Sequence, residues 1–92
     1  MNFPDFESIK VALSHYAEVL VLFDTEHEVA DNTETMNEFL ELFDVPEEDI
    51  VLEDGTYVEL KIDERVYEVH ASGNGDFRTH KIEIKLMENE TV

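Results

Sequence analysis

The feature that most constrains this chain is a stretch of fifty residues, 11–60, without a single lysine or arginine. The same stretch contains fifteen aspartates and glutamates. Its carboxylates have no cationic partners nearby in sequence, and burying unpaired charges is very costly. The fold must therefore spread them over its surface. Apolar runs at residues 19–23 and 39–43 lie within the stretch, so it is predicted to be a folded acidic surface and not a solvated tail.

Composition narrows the classes of function. The chain has 92 residues, with 24 acidic residues against 6 lysines and arginines, for a net charge of -18 at pH 7. One domain, spanning residues 1–92, is expected for this length. The charge excludes direct binding to a nucleic-acid backbone or an anionic membrane, but permits a basic partner. Cysteine is absent, which excludes disulfides and thiolate zinc sites.

No targeting segment is predicted. The first residues lack the basic start of a secretory signal, and the longest apolar run, residues 19–23, is too short to span a bilayer. A soluble, cytoplasmic protein is expected.

The amino-terminal part predicts a helix over residues 5–22. Asp5 is suited to cap it. Residues 18–23 are apolar and partly β-branched, so a short strand is an alternative there, but one helix is favoured. The apolar residues at helical spacing are Ile9, Leu13, Tyr16 and Leu20.

A second helix is predicted to begin within residues 31–35. Two capping boxes fit, Asp31 with Glu34 and Thr35 with Glu38, and Pro46 marks the end of the helix. The predicted buried stripe is Met36, Phe39, Leu40 and Phe43. On the opposite side of the helix lie Glu34, Glu38 and Glu41. For a helix taken alone, such a face is most often simply solvated. Solvated faces usually mix lysine with glutamate because like charges at this spacing repel, so a face without lysine indicates that the repulsion is tolerated for some role.

The remaining residues predict antiparallel strands. Asp54 and Gly55 signal a hairpin between residues 50–53 and 56–62. A second turn, at Asp63 and Glu64, predicts a register that pairs Leu60 with Tyr67, Val58 with Val69, and Glu59 with Glu68. Lys81, on a last strand over residues 77–86, is expected to relieve the repulsion between those two glutamates. The predicted fold class is α+β, with two helices packed on one face of a four-stranded antiparallel β-meander.

Enzyme and metal chemistry are poorly supported. Asp24, Glu26 and Glu28 alternate as at the start of an EF-hand loop, but Val29 and Thr35 occupy the positions of its glycine and its bidentate glutamate. Residues 27–31 echo the zincin motif without its second histidine or its apolar helix. The other histidines are expected to be structural or exposed. We therefore expect no catalytic residues, no metal and no cofactor.

The candidate site is instead a protein-binding surface made of carboxylates. Its predicted members are Asp24, Glu26, Glu28, Asp31, Glu34, Glu38, Glu41, Asp44, Glu47, Glu48, Asp49, Glu53 and Asp54. A compact chain of this length is about 30 Å across. Duplex DNA about 31 Å long, roughly nine base pairs, carries the same ~18 charges. The net charge of the chain is therefore about equal to the phosphate charge of a DNA duplex as long as the folded chain is wide.

The length, the absence of cysteine, the acidic stretch and the opening MNFPDFESIKVALSHYAEVLVLFD together resemble the small early anti-restriction nuclease proteins of T-even coliphages. The resemblance covers the whole chain. It implies a dimeric mimic of double-stranded DNA in the host cytoplasm. The implied target is McrBC, a modification-dependent restriction nuclease that cleaves DNA carrying modified cytosines. The histone-like nucleoid-structuring protein is a second implied target.

Two functions stay open. The first is a DNA-mimic inhibitor whose carboxylates occupy the lysine- and arginine-lined groove of a nuclease and so protect phage DNA. The second is an acidic adaptor or chaperone that binds a basic host protein without DNA-like geometry. For the expected homodimer, the interface is predicted on a second apolar face of the first helix, formed by Val11, Val19 and Leu22.

Overall fold

The computed structural model describes residues 5–25, 31–74 and 79–87. These form two helices and five antiparallel strands in the order β1-β5-β4-β3-β2. The elements are α1 (Phe6–His15), β1 (Glu18–Asp24), α2 (Asn32–Leu42), a 3₁₀ turn (Glu47–Asp49), β2 (Ile50–Asp54), β3 (Tyr57–Ile62), β4 (Arg65–Asn74) and β5 (Thr79–Leu86). The predicted α+β class is confirmed. The predicted count of four strands is wrong, because β1 adds a fifth.

The first helix is shorter than predicted. Asp5 caps it by accepting a hydrogen bond of 2.9 Å from the backbone N–H of Ser8, and this bond holds the pKa of Asp5 below its usual value. The helix ends at His15, and Tyr16 is already extended, at φ -131° and ψ 146°. Ile9 and Leu13 are buried as predicted, whereas Tyr16 is 64% exposed.

Residues 18–24 form an edge strand, so the favoured single helix over residues 5–22 is wrong and the alternative strand is correct. Val19, Val21 and Phe23 are buried on one face, while their neighbours are half-buried or exposed. This burial has the period of a strand because β1 pairs antiparallel with β5. The interface predicted on the first helix is wrong for the same reason, since Val19 lies in the core and Leu22 projects from the opposite face of the sheet.

The second helix follows the sequence closely. Asp31 is its N-cap, and its carboxylate accepts a hydrogen bond of 3.0 Å from the backbone N–H of Glu34. That bond shows that Asp31, and not Thr35, is the N-cap of the helix. Met36 and Phe39 are fully buried, Phe43 is 8% exposed, and Leu40 is partly buried.

The β3–β4 hairpin has the predicted register, including Glu59 opposite Glu68. Both turn residues, Asp63 and Glu64, have positive φ, at 53° and 70°, as in the two-residue turn that matches strand twist. The β2–β3 turn lies one residue later than predicted, at Gly55 and Thr56. Gly55, with φ 64°, occupies the first central position, where a residue with a side chain would be strained.

The core lies between the two helices and one face of the sheet. Val19, Ile84, Val69 and Val58 form one apolar row across four strands. Helix α1 packs against β1, and α2 packs against β4 and β5. The opposite face carries no described helix and is called the open face below.

Candidate interaction surface

The structure describes eleven of the thirteen predicted binding acids, and Glu26 and Glu28 lie outside the described residues. Of the eleven, nine are exposed, and Glu38 and Asp49 are half-buried. They are Asp24 on β1; Asp31, Glu34, Glu38 and Glu41 at the cap and along α2; Asp44, Glu47, Glu48 and Asp49 between α2 and β2; and Glu53 and Asp54 on β2. The predicted acids are therefore placed where a partner can reach them.

The acidic face of α2 is oriented by the residues that α2 buries. Thr35, Met36 and Phe39 face the sheet, which turns Glu34 and Glu41 toward solvent. Along the helix axis, these carboxylates and that of Glu38 occupy about 10 Å, or one per roughly 5 Å. One DNA strand carries a phosphate per about 3.4 Å of axis. A DNA-like density therefore also requires acids from neighbouring elements.

The two edges of the sheet separate the remaining acids. Asp24 lies on β1, and Glu53 and Asp54 lie on β2, at the opposite edge. Four strand spacings correspond to about 19 Å. The 3₁₀ turn contacts β3 near the second edge. The predicted site is therefore not one compact patch. It has a central group on α2 and its connection to β2, with a flank at each edge.

Lysines occupy the open face. Lys61, Lys81 and Lys85 are exposed and alternate with buried core residues on β3 and β5. Lys85 lies between Glu18 of β1 and Glu68 of β4, so the expectation that Lys81 relieves the Glu59–Glu68 repulsion is wrong. The alternation of these lysines with core residues is already visible in the sequence. Charge is thus divided between an acidic helix side and an open face of mixed charge.

Two cations lie at the end of the sheet beside α1. Lys10 forms an ion pair of 3.0 Å with Glu7, and this contact raises the pKa of Lys10. Arg65 follows the β3–β4 turn and lines a small pocket together with Lys10. Both cations lie outside the acidic segment of α2 and its connection to β2.

An unanticipated polar cluster relieves the repulsion between Glu59 and Glu68 on the open face. The Tyr57 hydroxyl donates a hydrogen bond of 2.6 Å to Glu59 Oε2. His70 Nε2 lies 3.0 Å from Glu68 Oε1. The rings of Tyr57 and His70 are 4.9 Å apart. Each glutamate is therefore engaged by an aromatic residue two positions away on its own strand.

The hydrogen bond to Glu59 raises the pKa of Tyr57 to about 12. Because the folded pKa exceeds the usual value of 10.0, the stabilisation by this bond is complete below pH 10 and is lost as the pH rises toward 12. We expect an ultraviolet titration of tyrosinate to contain one late component that Tyr57→Phe removes. Glu59→Gln should move the midpoint of this component back toward pH 10. A late component that keeps its full amplitude in Tyr57→Phe would contradict the assignment.

Within residues 5–25, 31–74 and 79–87, no group of three or more histidines and acids is placed to hold a metal. The EF-hand-like and zincin-like patterns fall largely on residues 26–30, outside that range. No helix in the described part of the chain is long and apolar enough to cross a membrane. Comparison with protein-family models, with curated proteins and with solved structures finds no match to this chain.

Proposed function

We propose that the protein is a DNA-mimic inhibitor that occupies the DNA-binding groove of a modification-dependent restriction nuclease of the McrBC type. It would thereby protect phage DNA in the host cytoplasm, with no catalytic step of its own. The observation that supports this proposal is the division of charge. Exposed acids with no lysine or arginine among them follow α2 and its connection to β2, whereas the open face mixes Lys61, Lys81 and Lys85 with acids.

Shape and charge density support the same proposal. The molecule is elongated, with principal extents of 43 × 24 × 22 Å. A duplex of that length carries about 25 phosphate charges, against a net 18 on this chain. A groove lined by lysine and arginine attracts either polyanion by the same long-range field. In charge and length, the domain therefore matches the occupant of a site that normally binds duplex DNA.

Competition with DNA tests the proposal. A fluorescent duplex carrying modified cytosines is bound to the purified nuclease, and the protein is titrated in. We expect stoichiometric displacement of the duplex, reversal by excess unlabelled duplex, and weakening as salt rises. Simultaneous binding of duplex and protein would exclude mimicry and favour the adaptor or chaperone function. The same assay with the histone-like nucleoid-structuring protein tests the second target.

We further propose that the active form is a homodimer joined through the free edge of β1. This strand has seven residues, pairs with β5 without a bulge, and lacks the lysine or proline that commonly protects an edge. Leu20 of this strand is 42% exposed, and Val11 of α1 is 58% exposed. A groove of about 370 Å³ runs between α1 and β1. By contrast, β2 is shorter and contains a bulge.

Electrostatics selects a register for this pairing. If Leu20 faced Leu20 of the second copy in an antiparallel arrangement, Glu18 would face Leu22 and Asp24 would face Tyr16. A register centred on Val21 would instead set Glu18 against Asp24, which is unfavourable. The first register joins two sheets edge to edge and keeps the helices of both copies on one side. The acidic surfaces of the copies would then lie side by side.

Leu20→Lys tests the proposed interface. The lysine would point from the open face and place two like charges opposite each other at the centre of the dimer, so we expect a monomer by light scattering at tens of micromolar. Leu52→Lys is the matched control, because Leu52 is 45% exposed on the other edge strand. A monomeric wild-type protein, or loss of the dimer only in Leu52→Lys, would contradict the proposal.

A further inference from the structure

A fully buried histidine lies where the acidic surface meets the sheet. His80 of β5 is 0% exposed and pairs with Phe23 of β1. The centroids of the two rings are 5.4 Å apart. The DNA-mimic and dimer proposals make no use of this imidazole. Its two ring nitrogens, however, contact Thr25 at the end of β1 and Thr35 in the first turn of α2.

The imidazole bridges two threonines. Its Nε2 lies 3.2 Å from Thr25 Oγ1, and its Nδ1 lies 3.2 Å from Thr35 Oγ1. The Thr35 hydroxyl also donates a hydrogen bond of 3.3 Å to the carbonyl of Asp31. A hydroxyl has one proton to donate, so Thr35 accepts from Nδ1–H. In a neutral imidazole, Nε2 then accepts from the Thr25 hydroxyl. For a neutral imidazole, these contacts select the Nδ1–H tautomer of His80.

The two threonines flank the segment that carries the first predicted binding acids. Thr25 directly follows Asp24 at the end of β1, and Thr35 lies in the first turn of α2, beside Glu34 and the Asp31 cap. The imidazole therefore ties the end of an edge strand to the start of a helix. Carboxylates that the fold already holds in one arrangement lose less conformational entropy on binding a partner than carboxylates on a flexible segment.

We propose that His80 is a positioning residue that fixes the first turn of α2 against the end of β1. It thereby sets the spacing between Asp24, Asp31 and Glu34. The effect of this spacing on binding rests on the proposed function. The structural part, a Nδ1–H imidazole joined to two hydroxyls, does not rest on that function and is tested separately.

The structural part is tested first on the wild-type protein. The ¹⁵N chemical shifts of His80 at neutral pH should show a protonated Nδ1 and an unprotonated Nε2. This measurement needs no variant, so it decides even where a substitution prevents folding. An imidazole protonated at Nε2 alone would overturn the proposed chain of hydrogen bonds.

Paired substitutions then separate positioning from general stability. Thr25→Val and Thr35→Val remove a hydroxyl at nearly constant volume, whereas Thr25→Ser and Thr35→Ser retain it. In the valine variants, amide hydrogen exchange should accelerate at the end of β1 and in the first turn of α2, and stay slow at Val58 and Val69. The serine variants should restore protection. A uniform acceleration across the sheet would show a merely structural role and overturn the proposal.

The competition assay with the nuclease and its fluorescent duplex measures the effect on binding. The valine variants should inhibit about tenfold more weakly than wild type, equivalent to about 1.4 kcal/mol, and the serine variants should inhibit normally. Faster local amide exchange with unchanged inhibition would show that His80 does not position the acids used in binding, and would overturn that part of the proposal. If the wild-type protein does not compete with duplex, the proposed function fails, and with it the binding part of this proposal. The tautomer and exchange results still decide the structural part.

Discussion

Replacing Glu34 and Glu41 together by lysine is expected to weaken inhibition of the nuclease by about 100-fold at low salt. Both side chains are exposed on the solvent side of α2. Each substitution removes one attraction to the cationic groove and adds one repulsion, and exposed charge pairs are worth roughly 0.2–1 kcal/mol each. Four such contributions of about 0.7 kcal/mol each, near the middle of that range, add up to about 2.7 kcal/mol, which corresponds to the expected loss.

The matched control is Glu64→Lys with Glu83→Lys. It changes the net charge equally, but Glu64 lies in the β3–β4 turn and Glu83 lies on the open face, and both side chains are exposed. We expect it to cost less than about tenfold in inhibition. The difference between the two variants should shrink at about 0.5 M salt because exposed pairs are screened. Equal losses would show that net charge alone governs binding and would remove the argument for a defined surface.

The second large effect concerns stability. The melting temperature should rise by about 10 °C when NaCl is raised from about 0.01 M to about 0.5 M. Even if all 6 lysines and arginines were paired, 18 of the 24 acids would remain uncompensated. The folded chain concentrates these charges within a radius of gyration of 12.7 Å, whereas an unfolded chain separates them. Screening by salt therefore raises the free energy of unfolding by a few kcal/mol. For a domain of this size, that change raises the melting temperature by on the order of 10 °C.

Thermal unfolding followed by circular dichroism measures this effect. Glu34→Gln with Glu41→Gln and Asp44→Asn is the useful comparison, because all three side chains are exposed. Removing three charges from the acidic surface should raise the melting temperature at low salt and reduce its dependence on salt. A melting temperature that stays flat or falls between low and moderate salt would show that the acids are compensated within the fold. Imitation of a polyanion would then have no visible energetic cost.

The errors in the sequence analysis have a common origin. Residues 18–23 fit either a helix or a strand, since a short apolar run carries little periodic information. The choice depends on β5, whose residues 79–85 pair with β1 from more than fifty positions away. The sequence does not fix the register of β5 on β4, and that register places Lys85, not Lys81, beside Glu68. Such pairings are long-range, so local propensity does not decide them.

By itself the sequence determined the features that adjacent residues control. These include the Asp31 cap, the Asp63–Glu64 turn with the register of β3 on β4, and the outward orientation of the glutamates on α2. It also required the uncompensated acids to lie on the surface, since burying them would be too costly. Only the tertiary structure decided that residues 18–24 form an edge strand, that the predicted acids divide between a centre and two flanks, and that His80 joins Thr25 to Thr35. Those features arise where segments distant in the chain pack against each other, and their stability comes from burial and hydrogen bonds that exist only once the sheet has formed.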